Sequence, residues 1–180
     1  MSTSSAERVA PQSATVRRPA SAEGPAGGGQ LAAAPDITPF ARLVPSDHGL
    51  AVVALARPDG TVHASVVSAG VIAHPVTAVP VVGVVAGGKS RKLALLRLQP
   101  RATVVLRAGG QWAAVEGPAE LAGPDDPLAG VDAERLRLLL REIFTAAGGT
   151  HEDFGAYDRA MAAERRTAIL VTPARVYRNR

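Results

Sequence analysis

Apolar residues in the middle of the chain follow the spacing of β-strands. Leu50 to Ala56 is a continuous apolar run of strand length. The segment from Arg57 to Gly60 predicts a turn, because proline presets φ and glycine accepts a positive φ. Thr61 to Val67 then alternates between two faces. One face carries Thr61, His63 and Ser65, and the other carries Val62, Ala64 and Val66. The two runs predict an antiparallel hairpin.

Further strands and one short helix follow. Val79 to Ala86 predicts a third strand, with Pro80 only near its start. The segment from Ser90 to Leu98 predicts a helix that ends before Pro100. Leu93 and Leu96 share one face of this helix, which is expected to pack against the rest of the fold. A second hairpin and a last strand complete the pattern: Ala102 to Leu106, Trp112 to Leu121, and Thr167 to Thr172.

The period changes to that of a helix after the segment 124–127. Leu136, Leu139, Leu140 and Ile143 share a helical face, with Asp132 as a cap and Gly148-Gly149 as the stop. Another helix is expected from Thr150, and a short one from Thr38 to Val44. Five or six antiparallel strands with added helices predict an α+β fold, a small antiparallel β-barrel.

Residues 1 to 35 show no hydrophobic period. They consist mainly of Ala, Ser, Gly and Pro, and such a segment cannot bury enough apolar surface to offset its ordering entropy. We therefore expect a disordered low-complexity tail over 1–35 and one folded domain over 36–180.

Composition and charge narrow the class of protein. The sequence has no cysteine, which excludes disulfides and thiolate metal sites and is compatible with the cytoplasm. The pI is about 10.3, but the net charge is only +4 and 18 of the 20 basic residues are scattered arginines. Aromatic residues, the platforms for base stacking, make up 3%. The longest nearly apolar run, Val76 to Ala86, is too short to span a bilayer. We expect neither nucleic acid nor a membrane as a partner.

The basic residues that do cluster lie at one predicted helix start. Both lysines of the chain fall in Lys89-Ser90-Arg91-Lys92, directly after Gly87-Gly88. No Asp or Glu occurs between Asp59 and Glu116. Free amides at a helix start carry partial positive charge, and arginine adds a planar fork of donors suited to phosphate. The cluster predicts an anion site; a solvated basic helix start is the alternative.

Side chains for acid–base or nucleophilic catalysis are not evident in the sequence. The four histidines (His48, His63, His74 and His151) fit no metal-ligand spacing, and no nucleophile elbow or dinucleotide fingerprint occurs. We therefore expect no catalytic side chain and no metal ligand. An anion site without a catalyst beside it suits a protein whose bound cofactor carries the reaction.

The pattern resembles the pyridoxamine 5′-phosphate oxidase-like split-barrel proteins that bind FMN or a deazaflavin. Ser90-Arg91-Lys92 after the third strand is similar to the Ser-Arg-Lys with which that superfamily grips the flavin phosphate. Residues 112–117 and 171–177 are similar to two further strands of the family. The C-terminal Trp and Arg-x-His of the true pyridoxamine-phosphate oxidases are absent, since Trp112 is the only tryptophan.

Two stretches are similar to the subgroup that uses coenzyme F420, residues 64–71 and 149–153. The resemblance implies an FMN-binding split barrel that binds F420, or FMN. It also implies a set of cofactor-binding residues: His63, Ser65, Val66, Val67 and Ser68 along the ring, Lys89, Ser90, Arg91 and Lys92 at the phosphate, and Trp112 near the ring, supplied across a dimer interface.

The function expected from this resemblance is that of an oxidoreductase. It would transfer a hydride through the cofactor to a small-molecule substrate that the sequence does not identify. A non-catalytic flavin- or haem-binding module and a basic nucleic-acid-binding barrel are the alternatives. We expect a homodimer, because a small barrel with few aromatic residues has a limited core.

Overall fold

The computed structural model describes residues 35–179, so the predicted tail lies almost wholly outside the described residues. No helix in this part of the chain is long and apolar enough to cross a membrane. The helices are α1 Thr38–Leu43, α2 Arg91–Leu98, α3 Ala133–Ala146 and α4 Phe154–Ala163. The strands are β1 Leu50–Ala56, β2 Val62–Ala73, β3 Pro80–Ala86, β4 Arg101–Ala108, β5 Gln111–Ala122, β6 Thr167–Val171 and β7 Arg175–Arg178.

Six antiparallel strands close into a barrel in the order β1-β2-β3-β6-β5-β4. The two longest strands, β2 and β5, have 12 residues each and change partner along their length. The first part of β2 pairs with β1 and residues 69–73 pair with β3. Likewise β5 pairs with β4 and then, over 119–122, with β6, while β7 adds to its free edge. The predicted α+β split barrel with added helices is confirmed.

Two element boundaries differ from the prediction by more than two residues. The strand β2 continues to Ala73, six residues beyond the predicted end at Val67, because its second part pairs with β3. The helix expected from Thr150 begins at Phe154 instead. There the Asp153 carboxylate accepts a hydrogen bond from the Ala156 amide at 3.0 Å and so caps the helix.

The core has two parts. The barrel interior is filled by β-strand side chains together with Phe40 of α1 and Leu93 and Leu96 of α2, all buried. A second cluster lies between α3 and the outside of the β3–β6 half of the barrel, and it contains Leu139 and Ile143. The helices are therefore attached to the barrel by apolar contacts at both places.

Two paired glycines let α3 lie directly on the sheet. Gly70 of β2 faces Gly83 of β3 in the strand register. A Cβ on Gly83 would lie 2.7 Å from Cγ1 of Ile143, and one on Gly70 would lie 2.6 Å from the Ala146 carbonyl carbon. Larger residues here would push α3 away from the barrel.

The other half of the barrel carries an outward-facing apolar row, in which Ala114 is buried, Val105 is half-buried and the other side chains are exposed to solvent. Strand register places Val66, Val52, Val105, Ala114 and Tyr177 side by side across five strands. Val66 is 66% exposed, Val52 41% and Tyr177 42%. We call this surface the outer face. No described element covers it.

Candidate functional site

The first turn of α2 is a capped and positively charged helix start. Ser90 has extended backbone, and its hydroxyl oxygen accepts a hydrogen bond from the Lys92 amide at 3.2 Å. No acidic residue lies in this turn. Leu93 and Leu96 are buried beneath the helix, so packing fixes its position. The cluster predicted from the sequence therefore lies at a helix N-terminus.

The cations along this segment divide into paired and unpaired groups. Arg97, in the last turn of α2, donates two hydrogen bonds of 2.7 Å to Asp126. Arg101 pairs with Glu116 at 3.2 Å. Among residues 35–179, in contrast, Lys89, Arg91 and Lys92 have no carboxylate within ion-pair distance. The charge at the start of α2 is therefore available to a ligand.

Lys92 opens onto a groove of about 400 Å³ between β2, the end of β3 and helices α3 and α4. We call it the central groove. Its walls include Val66, Val67, Ser68, Gly87, Lys92, Phe144, Tyr157, Met161 and Arg166. Three of the predicted strand residues and one predicted cation thus come together on one surface, although they are more than twenty positions apart in the sequence.

One wall of the central groove is aromatic. The ring centroids of Phe144 and Tyr157 lie 4.8 Å apart. The Tyr157 hydroxyl donates to the Leu140 carbonyl at 3.2 Å, and burial raises the pKa of Tyr157. Gly149 makes room for this arrangement, since a Cβ there would lie 2.4 Å from the Phe144 ring. The wall is a fixed apolar surface on which a planar ring could stack.

His63 and Ser65 point to the inner side of β2. In the register His63 pairs with Leu55 and Ser65 with Val53, both of which are buried. The pKa of His63 lies below its ordinary value, first because of burial and then because of the charges of Arg57, Lys92 and Arg91. His63 therefore lies close enough to the start of α2 for the charges of Arg91 and Lys92 to lower its pKa. The buried Ser65 hydroxyl has no hydrogen-bond partner in the described part of the chain.

Trp112 does not join the central groove within one chain. It lies on β5, is 39% exposed, and lines a separate cavity of about 410 Å³ together with Asp36, Arg42 and Arg178. In the strand register it pairs with Arg107, on the outward side of the sheet. A contact between Trp112 and a ligand in the central groove would therefore have to come from a second copy.

The residues present fit a flavin-type cofactor in two respects. Arg91 and Lys92, which have no carboxylate partner among residues 35–179, form a donor set suited to a phosphate at the start of α2. The groove beside them is open above Gly87, because no atom lies within 4 Å of the position its Cβ would take. Its apolar walls suit a planar ring.

The sequence did not identify the wall formed by α3 and α4. Phe144, Tyr157, Met161 and Arg166 reach the groove only because α3 packs on the barrel and α4 folds back along it. A helical face containing Phe154, Tyr157 and Met161 was the one available signal, and it indicated packing rather than a site.

The polar groups lining the central groove are few. Besides the hydroxyls of Ser68 and Tyr157 they include the cations Lys92 and Arg166, and the described lining contains no Asp, Glu or His. Within residues 35–179 no group of three or more His, Cys, Asp or Glu side chains is placed to hold a metal ion. The groove can bind an anion and a ring, but its lining presents no carboxylate or imidazole for proton transfer.

Comparison with known proteins identifies the fold. No protein-family model matches the sequence, and no curated protein does. A pyridoxamine 5′-phosphate oxidase-related, FMN-binding protein from Nostoc punctiforme has a similar structure, with a TM-score of 0.58 and 15% identity over 79% of this chain and 80% of that one.

Two further solved structures share the fold. An F420 reductase matches with a TM-score of 0.52 and 14% identity, over 76% of this chain and 94% of that one. A heme-binding protein from Mycobacterium smegmatis matches with a TM-score of 0.55 and 15% identity, over 81% of this chain and 54% of that one. The chain therefore has the split-barrel fold of the pyridoxamine 5′-phosphate oxidase-like proteins.

Proposed function

We propose that the protein is an oxidoreductase that binds coenzyme F420, or alternatively FMN, in the central groove. The bound cofactor would supply hydride transfer to a small-molecule substrate. The observation that carries this proposal is the unpaired cation cluster at the start of α2, which adjoins an apolar groove. Lys92 lines the groove, and Arg91 and Lys89 are its neighbours in the sequence.

The chain's own residues would bind and orient the cofactor. Arg91 and Lys92 would hold the phosphate, with Ser90 fixing the helix start and Lys89 adding charge. Val66, Val67 and Ser68 would lie along one side of the ring, with His63 and Ser65 on the inner side of the same strand. The Phe144 and Tyr157 rings would exclude water from the opposite side.

F420 is favoured over FMN by two supports. Residues 64–71 and 149–153 resemble the F420-using subgroup, and the second stretch carries Gly149 and His151 beside the aromatic wall. An F420 reductase is also among the proteins of similar structure.

We also propose that the protein is a homodimer in the cytoplasm. The outer face presents an apolar row across five strands, and a stable interface of ordinary size buries roughly 800 Å² on each partner. Pairing of two outer faces would cover Val52 and Val66. It would also bring Trp112 to a second copy, where it could reach that copy's central groove. The absence of cysteine from the sequence supports the cytoplasmic location.

Sedimentation of a charged variant tests the dimer. Val52→Arg places a cation within the outer face and should give monomers, because an unpaired charge cannot be buried at an interface. The matched control is Leu98→Arg on α2, where the side chain is 71% exposed and away from the outer face. Equal association of both variants would reject the outer face as the interface.

Titration of the purified apoprotein with F420 and with FMN tests the cofactor. We expect saturable binding with a shift of the chromophore band, and reoxidation of the reduced cofactor by an acceptor. Saturable binding without turnover on any acceptor would favour the non-catalytic flavin-binding module. A Soret band with added haem, and no binding of either flavin, would favour the haem-binding module. Binding of none of them would reject the site.

A further inference from the structure

A third cavity lies along α3 and α4, next to the central groove. It has a volume of about 590 Å³, larger than that of the central groove. Its walls are mostly apolar and come from α3, α4 and the segment between β5 and α3, including Pro127, Leu128, Leu136, Leu140, Met161 and Ala162. We call it the helix groove. Small-molecule sites are typically apolar cavities of roughly 300 to 1,000 Å³ with a few polar groups.

One wall of the helix groove is held in place by ion pairs. Arg97 of α2 binds Asp126 through two hydrogen bonds, and Arg165, which follows α4, binds Asp125. The Gly123 amide donates to the Asp126 carbonyl at 2.9 Å and closes the turn between them. These contacts preform the wall.

The charges around the helix groove favour an anion. Its lining includes two carboxylates, and both are engaged within the fold. Asp132 caps α3 by accepting from the Arg135 amide at 2.7 Å. Asp158 binds both Arg137 and Arg141.

The remaining cations in the lining are paired only with exposed carboxylates. Arg159 lies 3.9 Å from Asp153 in a pair whose two side chains are 75% and 65% exposed. The Arg166 guanidinium donates to the Glu164 carboxylate at 2.7 Å, and the Glu164 side chain is 54% exposed. Such exposed pairs contribute little, so a ligand anion can compete with them.

The helix groove adjoins the central groove. Met161 and Arg166 line both cavities. Methionine is unbranched and flexible, so a change in the Met161 side-chain conformation can connect the two grooves. A molecule bound in the helix groove could therefore present one end to the central groove.

We infer that the helix groove is the binding site of an apolar small molecule that carries one anionic group near Arg166 or Arg159. That this molecule is the enzyme's substrate rests on the proposed function, and it would narrow the unidentified substrate to an apolar anion. That the groove binds such a molecule rests on the structure alone.

Thiol protection in the apoprotein tests the inference, because the chain contains no cysteine of its own. Ala162 is exposed and lines the helix groove, whereas Ala160 is exposed on the same helix and does not line it. The probe is 8-anilinonaphthalene-1-sulfonate, an apolar aromatic anion. A saturating concentration should slow iodoacetamide alkylation of the Ala162→Cys thiol by about tenfold or more and leave that of Ala160→Cys unchanged.

A filling variant provides the second readout. Ala162→Trp should remove the probe site in the helix groove, measured as one fewer probe molecule bound per chain at saturation, while Ala160→Trp should retain that site. Equal alkylation of Ala162→Cys with and without the probe would overturn the inference. Two other results would also overturn the inference. If the alkylation rate of the Ala162→Cys thiol rises when residues 1–34 are deleted, the N-terminal segment occupies the groove. If that rate falls as the protein concentration rises, a second copy of the chain occupies it.

The proposed function is tested in a separate arm. F420 and FMN are titrated into the Ala162→Trp and Ala160→Trp variants and the wild type without the probe. We expect equal cofactor affinity in all three proteins. Failure of the wild type to bind either cofactor would reject the proposed function. The protection pattern in the apoprotein would still show independently whether the helix groove binds the probe.

Discussion

Basic residues play different roles at the start of α2 and along helices α3 and α4. Arg137 and Arg141 are bound to Asp158, Arg135 is bound to Glu142, and Arg97 at the far end of α2 is bound to Asp126. In the first turn of α2, by contrast, Arg91 and Lys92 pair with no carboxylate of residues 35–179. A cation already bound within the fold supports the fold, and one left unpaired beside a groove is available to a ligand. The comparison predicts separate effects on stability and on binding.

The largest expected effect is on cofactor affinity. Arg91→Ala should weaken cofactor binding by about tenfold to a hundredfold, because a charge-assisted hydrogen bond contributes roughly 1.5 to 3 kcal/mol. Arg91→Lys should restore part of the loss, since a point charge lacks the planar fork. The measurement is a fluorescence titration with F420 and FMN. The control is Arg97→Ala, because Arg97 lies on the same helix but is bound to Asp126. Equal affinity of the two alanine variants would show that the phosphate is held elsewhere.

The next effect is on stability and comes from Asp158. Its side chain is 16% exposed and binds both Arg137 and Arg141. Asp158→Asn should lower the free energy of unfolding by about 1 to 2 kcal/mol at neutral pH, with cofactor affinity unchanged. Urea unfolding measures the loss.

At acidic pH the wild type should lose its higher free energy of unfolding relative to Asp158→Asn. The hydrogen bonds from Arg141, and then from Arg137, hold the pKa of Asp158 below the ordinary value of 3.8. The contribution of a carboxylate with a lowered pKa is fully present above its unfolded-state value and is lost as the pH falls through the folded-state value. The unfolding free energies of wild type and Asp158→Asn should therefore converge below pH 3.8. A difference that stays constant as the pH falls well below 3.8 would assign the loss to something other than the ion pairs.

Arg97→Ala should have a smaller effect on stability. Its partner Asp126 is 11% exposed, but the Arg97 side chain is 41% exposed, so solvent screens the pair. We expect a loss of about 0.5 to 1 kcal/mol in urea unfolding, whereas Arg91→Ala should leave the apoprotein unchanged. If Arg91→Ala lowered the melting temperature more than Arg97→Ala, the roles assigned to the unpaired and the paired cation would be wrong.

The smallest effect is a pH dependence of binding through His63. Arg57, Lys92 and Arg91 contribute to lowering its pKa. A phosphate bound to the α2 cations would offset their charge and raise this pKa. Protonation would then accompany binding, so affinity should rise by about two- to threefold as the pH falls through the range below 6.5. The test compares F420 titrations of the wild type and His63→Gln, which cancels the titration of the cofactor itself. Parallel pH profiles would place the ligand away from His63.

Local patterns in the sequence were sufficient for most of the barrel. The prediction of β1 over Leu50–Ala56 is confirmed residue for residue, and α2 ends as Pro100 indicated. These elements follow from short-range rules: an apolar run, a Pro-Asp-Gly turn and a Ser cap. The second half of β2 was missed because its Gly70 pairs with a glycine of β3 beneath α3, a reason that lies in tertiary packing.

The candidate site divides in the same way. Lys92 was predicted from the local basic cluster and Val66 to Ser68 from the family resemblance, and these residues share the central groove in the structure. Phe144 and Tyr157 were not predicted as site residues, since they reach the groove only after α3 and α4 pack. The predicted role of Trp112 depends on a second copy of the chain, and it stays a prediction.

The most direct test pairs a change in the ligand with a change in the protein. FMN is compared with riboflavin, and F420 with its deazaflavin chromophore lacking the phosphate, on the wild type and on Arg91→Ala. If the start of α2 holds the phosphate, the wild type should bind each phosphorylated form at least about tenfold more tightly, and Arg91→Ala should remove most of that difference. A preference for the phosphorylated forms that is equally large in both proteins would contradict the account.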